Sequence, residues 1–308
     1  MGLVEWSMLI VLSILWGGSY FFVEIGLLEW SPLLIVGVRV WVATLVIWLI
    51  VLIAGWQVPR SGSAWFAFFL LGLLNNVIPF LLIVWGQKEV ASGLAAILNA
   101  AAPIFSVIVA GIFLKDERMT STKLSGAIIG LAGVAILIGP DALAGMGASM
   151  LAQLAILTAA LSYAFAGVYA RRFPAMNINP IVIAAGQLLM SSLIMAALIL
   201  TFETPAQILT GSTRVWLAVG GMAIFSTALA YILYFRLIAT AGATNAILVT
   251  LLIPATAILL GSAFLGEQLA LLHFAGMTVI AIGLLVIDGR AWHALRGYVT
   301  GRSDNSRR

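Results

Sequence analysis

Apolar segments of the length that crosses a bilayer core, about 20 residues, follow one another along this chain with only short polar breaks between them. That recurrence constrains the fold more than any motif. In hydrocarbon every backbone N–H and C=O must be paired within the structure, which leaves only helices and closed barrels. Barrel strands are segments of about 10 residues that alternate in polarity, and the run 181–200 does not alternate. The spacing predicts ten transmembrane helices at about 6–26, 32–54, 64–86, 91–114, 121–139, 148–170, 178–202, 213–238, 242–265 and 269–289. Turn and charge punctuation separates them: Ser31-Pro32, the stretch 58–63, the stretch 115–118, Gly139-Pro140-Asp141, Arg171-Arg172 with Pro174, and Thr204-Pro205. With 63% hydrophobic and 8% charged residues over 308 positions, the chain carries more apolar surface than a soluble core can bury. The expected fold class is an all-α polytopic membrane protein. The first segment lacks a basic leader region and is read as a retained helix, not a cleaved signal. The absence of cysteine excludes disulfides, thiolate metal sites and a cysteine nucleophile.

The net charge of +4 does not point to nucleic acid, because the charges mark topology. If the N-terminus is cytoplasmic, the inner loops, helix ends and tail hold Arg60, Lys115, Arg118, Lys123, Arg171, Arg172, Arg236, Arg290, Arg296, Arg302, Arg307 and Arg308, while the outer side holds only Lys88 and Arg214. Lys/Arg bias in short loops sets orientation, so both termini are expected in the cytoplasm of a bacterial-type inner membrane. Glu24, Glu29, Glu89, Asp141, Glu203 and Glu267 fall on the opposite side. The basic tail then sits against anionic lipid headgroups.

The chain also repeats itself. At a spacing of 150, Ala91, Ala96-Ile97-Leu98, Ile108, Gly111, Glu117, Gly126 and Gly133 recur as Ala241, Ala246-Ile247-Leu248, Ile258, Gly261, Glu267, Gly276 and Gly283, and Pro103 and Pro254 slip by one place. The expected units are a first five-helix repeat over 1–143, a second over 144–290, and a basic tail over 291–308. Five is an odd number, so the second copy enters the membrane from the opposite side. Inverted repeats of this kind are typical of secondary transporters, whose substrate binds near the midplane between the halves.

Several stretches together carry a family resemblance: Trp16-Gly17-Gly18-Ser19 in the first helix, Ser31-Pro32 followed by Arg39, the Pro103 helix running to Leu114-Lys115-Asp116-Glu117, and the run from Thr227 to Tyr234. In this order they resemble the drug/metabolite transporter superfamily, and within it the EamA-type ten-helix exporters. The resemblance implies two inverted five-helix repeats around a central cavity. It extends to bacterial exporters of aromatic amino acids and other amino-acid metabolites, so amino-acid efflux is the expectation it raises.

The candidate cavity residues are the polar and aromatic side chains held at midspan. Trp16, Gly17, Ser19 and Tyr20 stand in helix 1 against Ser162, Tyr163 and Tyr169 in helix 6; Asn75, Asn76 and Pro79 of helix 3 match Ser226, Thr227 and Ala230 of helix 8, beside Tyr231 and Tyr234; Asn99 and Pro103 of helix 4 match Thr250 and Pro254 of helix 9. Asparagines buried in hydrocarbon must face other helices or water, either as interhelical hydrogen bonds or as part of a transport path. Pro103 and Pro254 mark candidate kinks at corresponding depths. Arg39 lies seven residues past Pro32, about 10 Å into its helix at 1.5 Å per residue, and reads either as a structural charge bonded to helix-end carbonyls or as a partner for a substrate carboxylate. Arg236, near a helix end, is expected to snorkel. A phosphate carrier would need more cations at depth, and a small-multidrug carrier would need a deep carboxylate, for which Glu24 is poorly placed. A neutral or zwitterionic substrate therefore fits best, with Trp and Tyr rings to hold an ammonium group; a multidrug or cation carrier is the alternative, and a channel a more distant one.

Trp6, Trp30, Trp56, Trp65, Trp85, Trp216 and Trp292 fall at helix ends and read as interfacial anchors. The Gly126, Gly130, Gly133 face predicts close packing within the molecule, so a monomer is expected. No zincin, Walker or nucleophile-elbow motif occurs, and His273 and His293 are too few for a metal site. Neither an enzyme activity nor a cofactor is expected, and the partners are a small-molecule substrate and membrane lipid. Glu117 and Glu267 read as helix caps.

Overall fold

The computed structural model describes residues 2–114, 120–144, 148–242, 246 and 249–288. The described residues form helices and no strand. Seven of them are long and apolar enough to cross a membrane. We number the helices α1 (Leu3–Leu27), α2 (Pro32–Ile53), α3 (Gly62–Gly86), α4 (Ser92–Phe113), α5 (Ser121–Ala144), α6 (Ala148–Ala170), α7 (Pro180–Phe202), α8 (Thr213–Ala241), α9 (Val249–Leu260, continued by Gly261–Leu265) and α10 (Leu271–Asp288). Lys115, Glu117 and Arg118, the start of the expected ninth helix, His293 and the tail 291–308 lie outside the described residues.

Local chemistry sets the helix starts. Ser31 caps α2, its Oγ accepting from the Leu34 N–H at 3.3 Å, with Pro32 at the first position where a missing N–H is harmless. Asn179 does the same for α7, accepting from Ile181 at 2.9 Å ahead of Pro180. Ser61 and Ser212 cap α3 and α8. The link between α1 and α2 is clipped to the start of α8 by the Ser212 N–H, which donates to Glu29 at 2.6 Å.

Two boundaries differ from expectation. Helix α5 continues through Gly139 and Pro140 to Ala144; a proline removes one ladder bond and can be carried inside a membrane helix when neighbouring groups serve the freed carbonyl. Helix α4 is two pieces, Ser92–Asn99 and Ala102–Phe113, joined by a turn at Ala100 and Ala101. Pro103 sits in the first turn of the second piece, where it is tolerated. Pro254, expected to match it, lies within a helix that runs unbroken from Val249 to Leu260.

The principal packing pairs are α1 with α8 and α9, α2 with α7 and α8, α3 with α6 and α7, α4 with α6 and α9, and α5 with α10. Exchanging each helix with the one five places away maps this set onto itself, so the halves pack by one common scheme. The α5 and α10 backbones touch: a Cβ on Gly126 would lie 2.8 Å from the Gly283 carbonyl oxygen, and one on Gly133 would lie 2.7 Å from the Ile280 nitrogen. The glycine face is thus consumed inside the molecule. Large apolar side chains such as Leu45, Leu52 and Leu200 project outward, as they must where the solvent is lipid.

The tryptophans divide differently from the sequence reading. Trp30 is no lipid-facing anchor: it is 3% exposed, packed over Gly211 and edge-on to Trp216. Trp41 and Trp48 donate their indole N–H groups to the Ser192 and Ala185 carbonyls at 3.0 Å each, fastening α2 to α7.

Candidate functional site

Helices α3 and α8 each contain a π-helical segment, Leu73–Val77 and Ile224–Leu229. The two coincide with the repeat-related pairs Asn75-Asn76 and Ser226-Thr227. A π segment inserts an extra residue into a turn and disturbs the regular i→i−4 bonding of the helix. Carbonyls at and beside the two segments are served locally. The Ser162 hydroxyl donates to the Leu74 carbonyl at 2.7 Å, the Ser191 hydroxyl reaches the Gly72 carbonyl at 3.2 Å, and the Thr227 hydroxyl reaches the Met222 carbonyl at 3.4 Å.

Around these segments a polar assembly fills the interior. Asn76 is fully buried; its Nδ2 donates to Ser191 Oγ at 3.0 Å and its Oδ1 accepts from the Tyr231 hydroxyl at 2.7 Å. Asn75 donates from Nδ2 to Gln187 Oε1 at 3.2 Å and to the Tyr231 hydroxyl at 3.3 Å. Arg39, 7% exposed, donates from Nε to Thr227 Oγ1 at 2.9 Å and lays its guanidinium over the Phe80 ring at 3.8 Å. Its partner is thus a side-chain hydroxyl, and the helix-end carbonyls expected for a structural charge are not used. No carboxylate pairs with it among the described residues. Asn99 stands at the break in α4, its Oδ1 buried with no hydrogen-bond partner among the described residues.

Several candidate residues therefore meet: Asn75 and Asn76 share Tyr231, Thr227 meets Arg39, and Tyr20 and Tyr163 pack in one buried cluster. Trp16 and Tyr234 form an adjoining pair with ring centroids 5.2 Å apart, one helical turn from Tyr231. Ser19 turns its hydroxyl back to the Trp16 carbonyl at 2.7 Å, and Pro79 is buried just past the π segment of α3. Neither offers a free polar group. Sequence reasoning passed over Phe80, Gln187 and Ser191. Gln187 and Ser191 carried a signal, being two of three polar residues in the apolar run 181–200.

A cleft of about 620 Å³ opens beside the C-terminal end of α1, lined by Glu24, Gln87, Lys88, Glu89, Arg214 and Glu267 among others. Gln87 Nε2 donates to Glu24 Oε1 at 2.9 Å and to the Tyr20 carbonyl at 3.0 Å. Glu267 crosses from the second half to the N-terminus of α4, accepting from the Ser92 N–H at 2.8 Å, the Ser92 hydroxyl at 2.9 Å and the Gly93 N–H at 3.2 Å. This is the capping role expected of it. Arg236 is exposed, consistent with snorkelling. Among the described residues no group of His, Cys, Asp and Glu could hold a metal ion.

The model of the EamA-like transporter family matches this chain twice, over residues 5–139 and 150–288. The chain belongs to the EamA-like transporter family. Among its relatives, the uncharacterized inner membrane transporter YedA of Escherichia coli K12 is 30% identical, over 91% of this chain and 89% of its own length. The uncharacterized transporter YoaV of Bacillus subtilis is 23% identical over 90% of this chain and 94% of its own. A probable amino-acid metabolite efflux pump of Escherichia coli K12 is 25% identical over 92% and 94% respectively. A solved crystal structure superposes with a TM-score of 0.68 over 96% of this chain and 99% of the other, at 20% identity, and shares the fold. This family member is thus a multi-pass membrane transporter.

Proposed function

We propose that the protein is a secondary transporter that exports small neutral or zwitterionic metabolites, amino acids foremost, by alternating access. In this reading all ten helices cross the membrane as two inverted five-helix repeats around a central cavity, with both termini cytoplasmic. The observation that carries the proposal is the pair of π segments at corresponding places in α3 and α8, which hold Asn75 and Asn76 on Tyr231 and Thr227 on Arg39. Irregular helix inside a membrane is tolerated where it lines a cavity or meets other protein, and paired interruptions in the two halves mark transport sites. The efflux activity named for the Escherichia coli relative agrees with this substrate class.

Counterflow into proteoliposomes tests the proposal. Saturable exchange of an internal amino acid for an external labelled one supports it, with Trp16→Ala lowering uptake while detergent melting stays near wild type. Flux that never saturates would mean a channel, and a hydrolysis product in the external medium an enzyme; either outcome overturns it. The cleft beside Glu24 and Glu267 favours a second reading, efflux of organic cations. Exchange of tetraphenylphosphonium in preference to every amino acid would establish that reading.

A further inference from the structure

The first piece of α4, the half-helix Ser92–Asn99, has nothing of its own at its N-terminus. Ala91 in the capping position offers no side-chain acceptor. The carboxylate that serves the first turn belongs to Glu267, 175 positions away in the other half, and accepts from the Ser92 N–H at 2.8 Å, the Ser92 hydroxyl at 2.9 Å and the Gly93 N–H at 3.2 Å. A helix cap is ordinarily the residue next to the helix it serves. Here the Ser92 and Gly93 N–H groups are satisfied only while the two halves stay together at this end. Gly261 makes room for the arrangement: a Cβ there would strike the Glu267 carboxylate and would lie 2.7 Å from Ser92 Oγ.

The other end of the same piece is built as a hinge. Ala100 and Ala101, both small and buried, break α4 between Asn99 and Ala102, and hinges are a few element-terminal residues that absorb the backbone change. Asn99 leaves its Oδ1 buried with no partner among the described residues, so this position of the piece does not satisfy every group it buries. Between the two ends, Ser92 to Leu98 are buried and uncharged, packed on α1, α6 and α9. Empty space borders the Glu267 contact on two sides. Glu267 lines the cleft of about 620 Å³ beside α1 and also a second cavity of about 330 Å³, with Ser262, Gln268 and Phe274. The first cleft reaches Glu24, while Tyr20, one turn further in, is already buried. In this position of the half-helix the cleft is therefore shut off from Asn76 and Arg39.

We infer that the half-helix Ser92–Asn99 is a gate between this cleft and the polar interior, hinged at Ala100 and Ala101 and held shut by Glu267 of the other half. As a gate it rests on the transport reading above and supplies the moving part at this end of the bundle. When the Glu267 carboxylate lets go, the two N–H groups lose their acceptors, the piece swings about its alanines, and the cleft opens toward the interior. Glu267 is thus a positioning residue: it touches no substrate and acts through α4.

The chain has no native cysteine, so engineered thiols report without background. Nitroxides on Lys88→Cys and Gln268→Cys, exposed positions that line the two cavities, show by electron paramagnetic resonance whether the gate moves. The full-length protein should give the latched distance, and Gly261→Ala and Glu267→Ala should each raise the population of a second, longer distance at least threefold. Loss of a simple cap would fray Ser92 and Gly93 and leave that distance alone. One distance, unchanged in both variants, overturns the gate, and this readout needs no substrate. Gly93→Cys with Ile258→Cys locks the gate. A Cβ on Gly93 would lie 3.1 Å from Ile258 Cγ1 and 3.5 Å from Ile258 Cα, within reach of a disulfide, whose Cβ atoms are about 3.5–4.5 Å apart. Oxidising the pair should cut saturable counterflow of L-leucine, L-phenylalanine or whichever solute the wild type exchanges at least tenfold, and dithiothreitol should restore it. Full exchange through the oxidised pair overturns the gate and leaves the transport reading standing. If the pair fails to fold or to oxidise, the nitroxide distances decide alone. Absence of saturable exchange for any solute in the wild type overturns the transport reading, and the distances still decide whether the half-helix moves.

Discussion

Gly283→Ala probes one of the closest backbone approaches among the described residues. A Cβ at Gly283 would sit 2.6 Å from the Gly130 nitrogen, 2.7 Å from the Gly126 oxygen and 2.8 Å from the Gly130 Cα, against the 3.4 Å at which ordinary contact begins. All three obstructing atoms are backbone, so none can swing aside, and α5 and α10 must part by most of an ångström. A gap of about 0.5–1 Å forfeits a quarter to a half of each dispersion contact along the seam, and overpacking of this kind costs about 1–3 kcal/mol. The gain in helix propensity from Gly to Ala, about 1 kcal/mol, offsets part of that. The expected net loss is up to about 2 kcal/mol, read as a lower melting temperature in detergent. Gly167 and Gly220 are the controls: each is helical and nothing lies within 4 Å of an added Cβ, so alanine there should leave stability unchanged or raise it by about 0.4–1 kcal/mol. A Gly283→Ala protein that melts at or above wild type would refute the close seam between the halves.

Thr227→Val keeps the side-chain shape but removes the acceptor of the Arg39 Nε bond, so it should cost about 1.5–3 kcal/mol, the range for hydrogen bonds to charged groups, with Thr227→Ser restoring most of the loss in the same melt. Glu267→Ala uncaps α4 and should cost about 0.5–2 kcal/mol, with faster hydrogen exchange at the Ser92 and Gly93 amides; unchanged exchange there would refute the clasp. Hydrogen bonds from the Ser212 hydroxyl and N–H hold the exposed Glu29 carboxyl below its ordinary value of 4.5. A depressed value in the folded state stabilises above the unfolded value and is lost as the pH falls through the folded one. Lowering the pH from 5 to 3, steps chosen to bracket about one carboxylate titration, should therefore loosen the α1–α2 link more in wild type than in Glu29→Gln, as read by limited proteolysis.

The structure changes what several sequence signals mean. Asn75 and Asn76 are adjacent, and on a regular helix adjacent residues point about 100° apart, so a common role was hard to derive from spacing alone. Tyr231 supplies the common partner, its hydroxyl accepting from Asn75 and donating to Asn76. Gln187 was visible as a polar residue in an apolar run, yet its partner is 112 positions away, and no local pattern encodes a pairing at that distance. Pro103 and Pro254 read as equivalents, but one starts a half-helix while the other lies within a continuous one. A proline only removes a donor and fixes one dihedral, so the surrounding packing determines whether the helix breaks.

The sequence by itself determined that the chain is helical and membrane-embedded, that it is built from two related halves, and which polar residues interrupt its apolar segments. The physical reason is that lipid forces backbone pairing within each segment, so segment length and hydropathy carry the information locally. Only the tertiary structure decided which of those residues meet. Arg39 reached Thr227 across 188 positions, Gly126 and Gly133 of α5 met α10 backbone, and Asn75 and Asn76 met Tyr231. Contacts of that kind depend on how helices from the two halves interleave, which is set by side-chain fit summed over the whole bundle and not by any stretch of sequence.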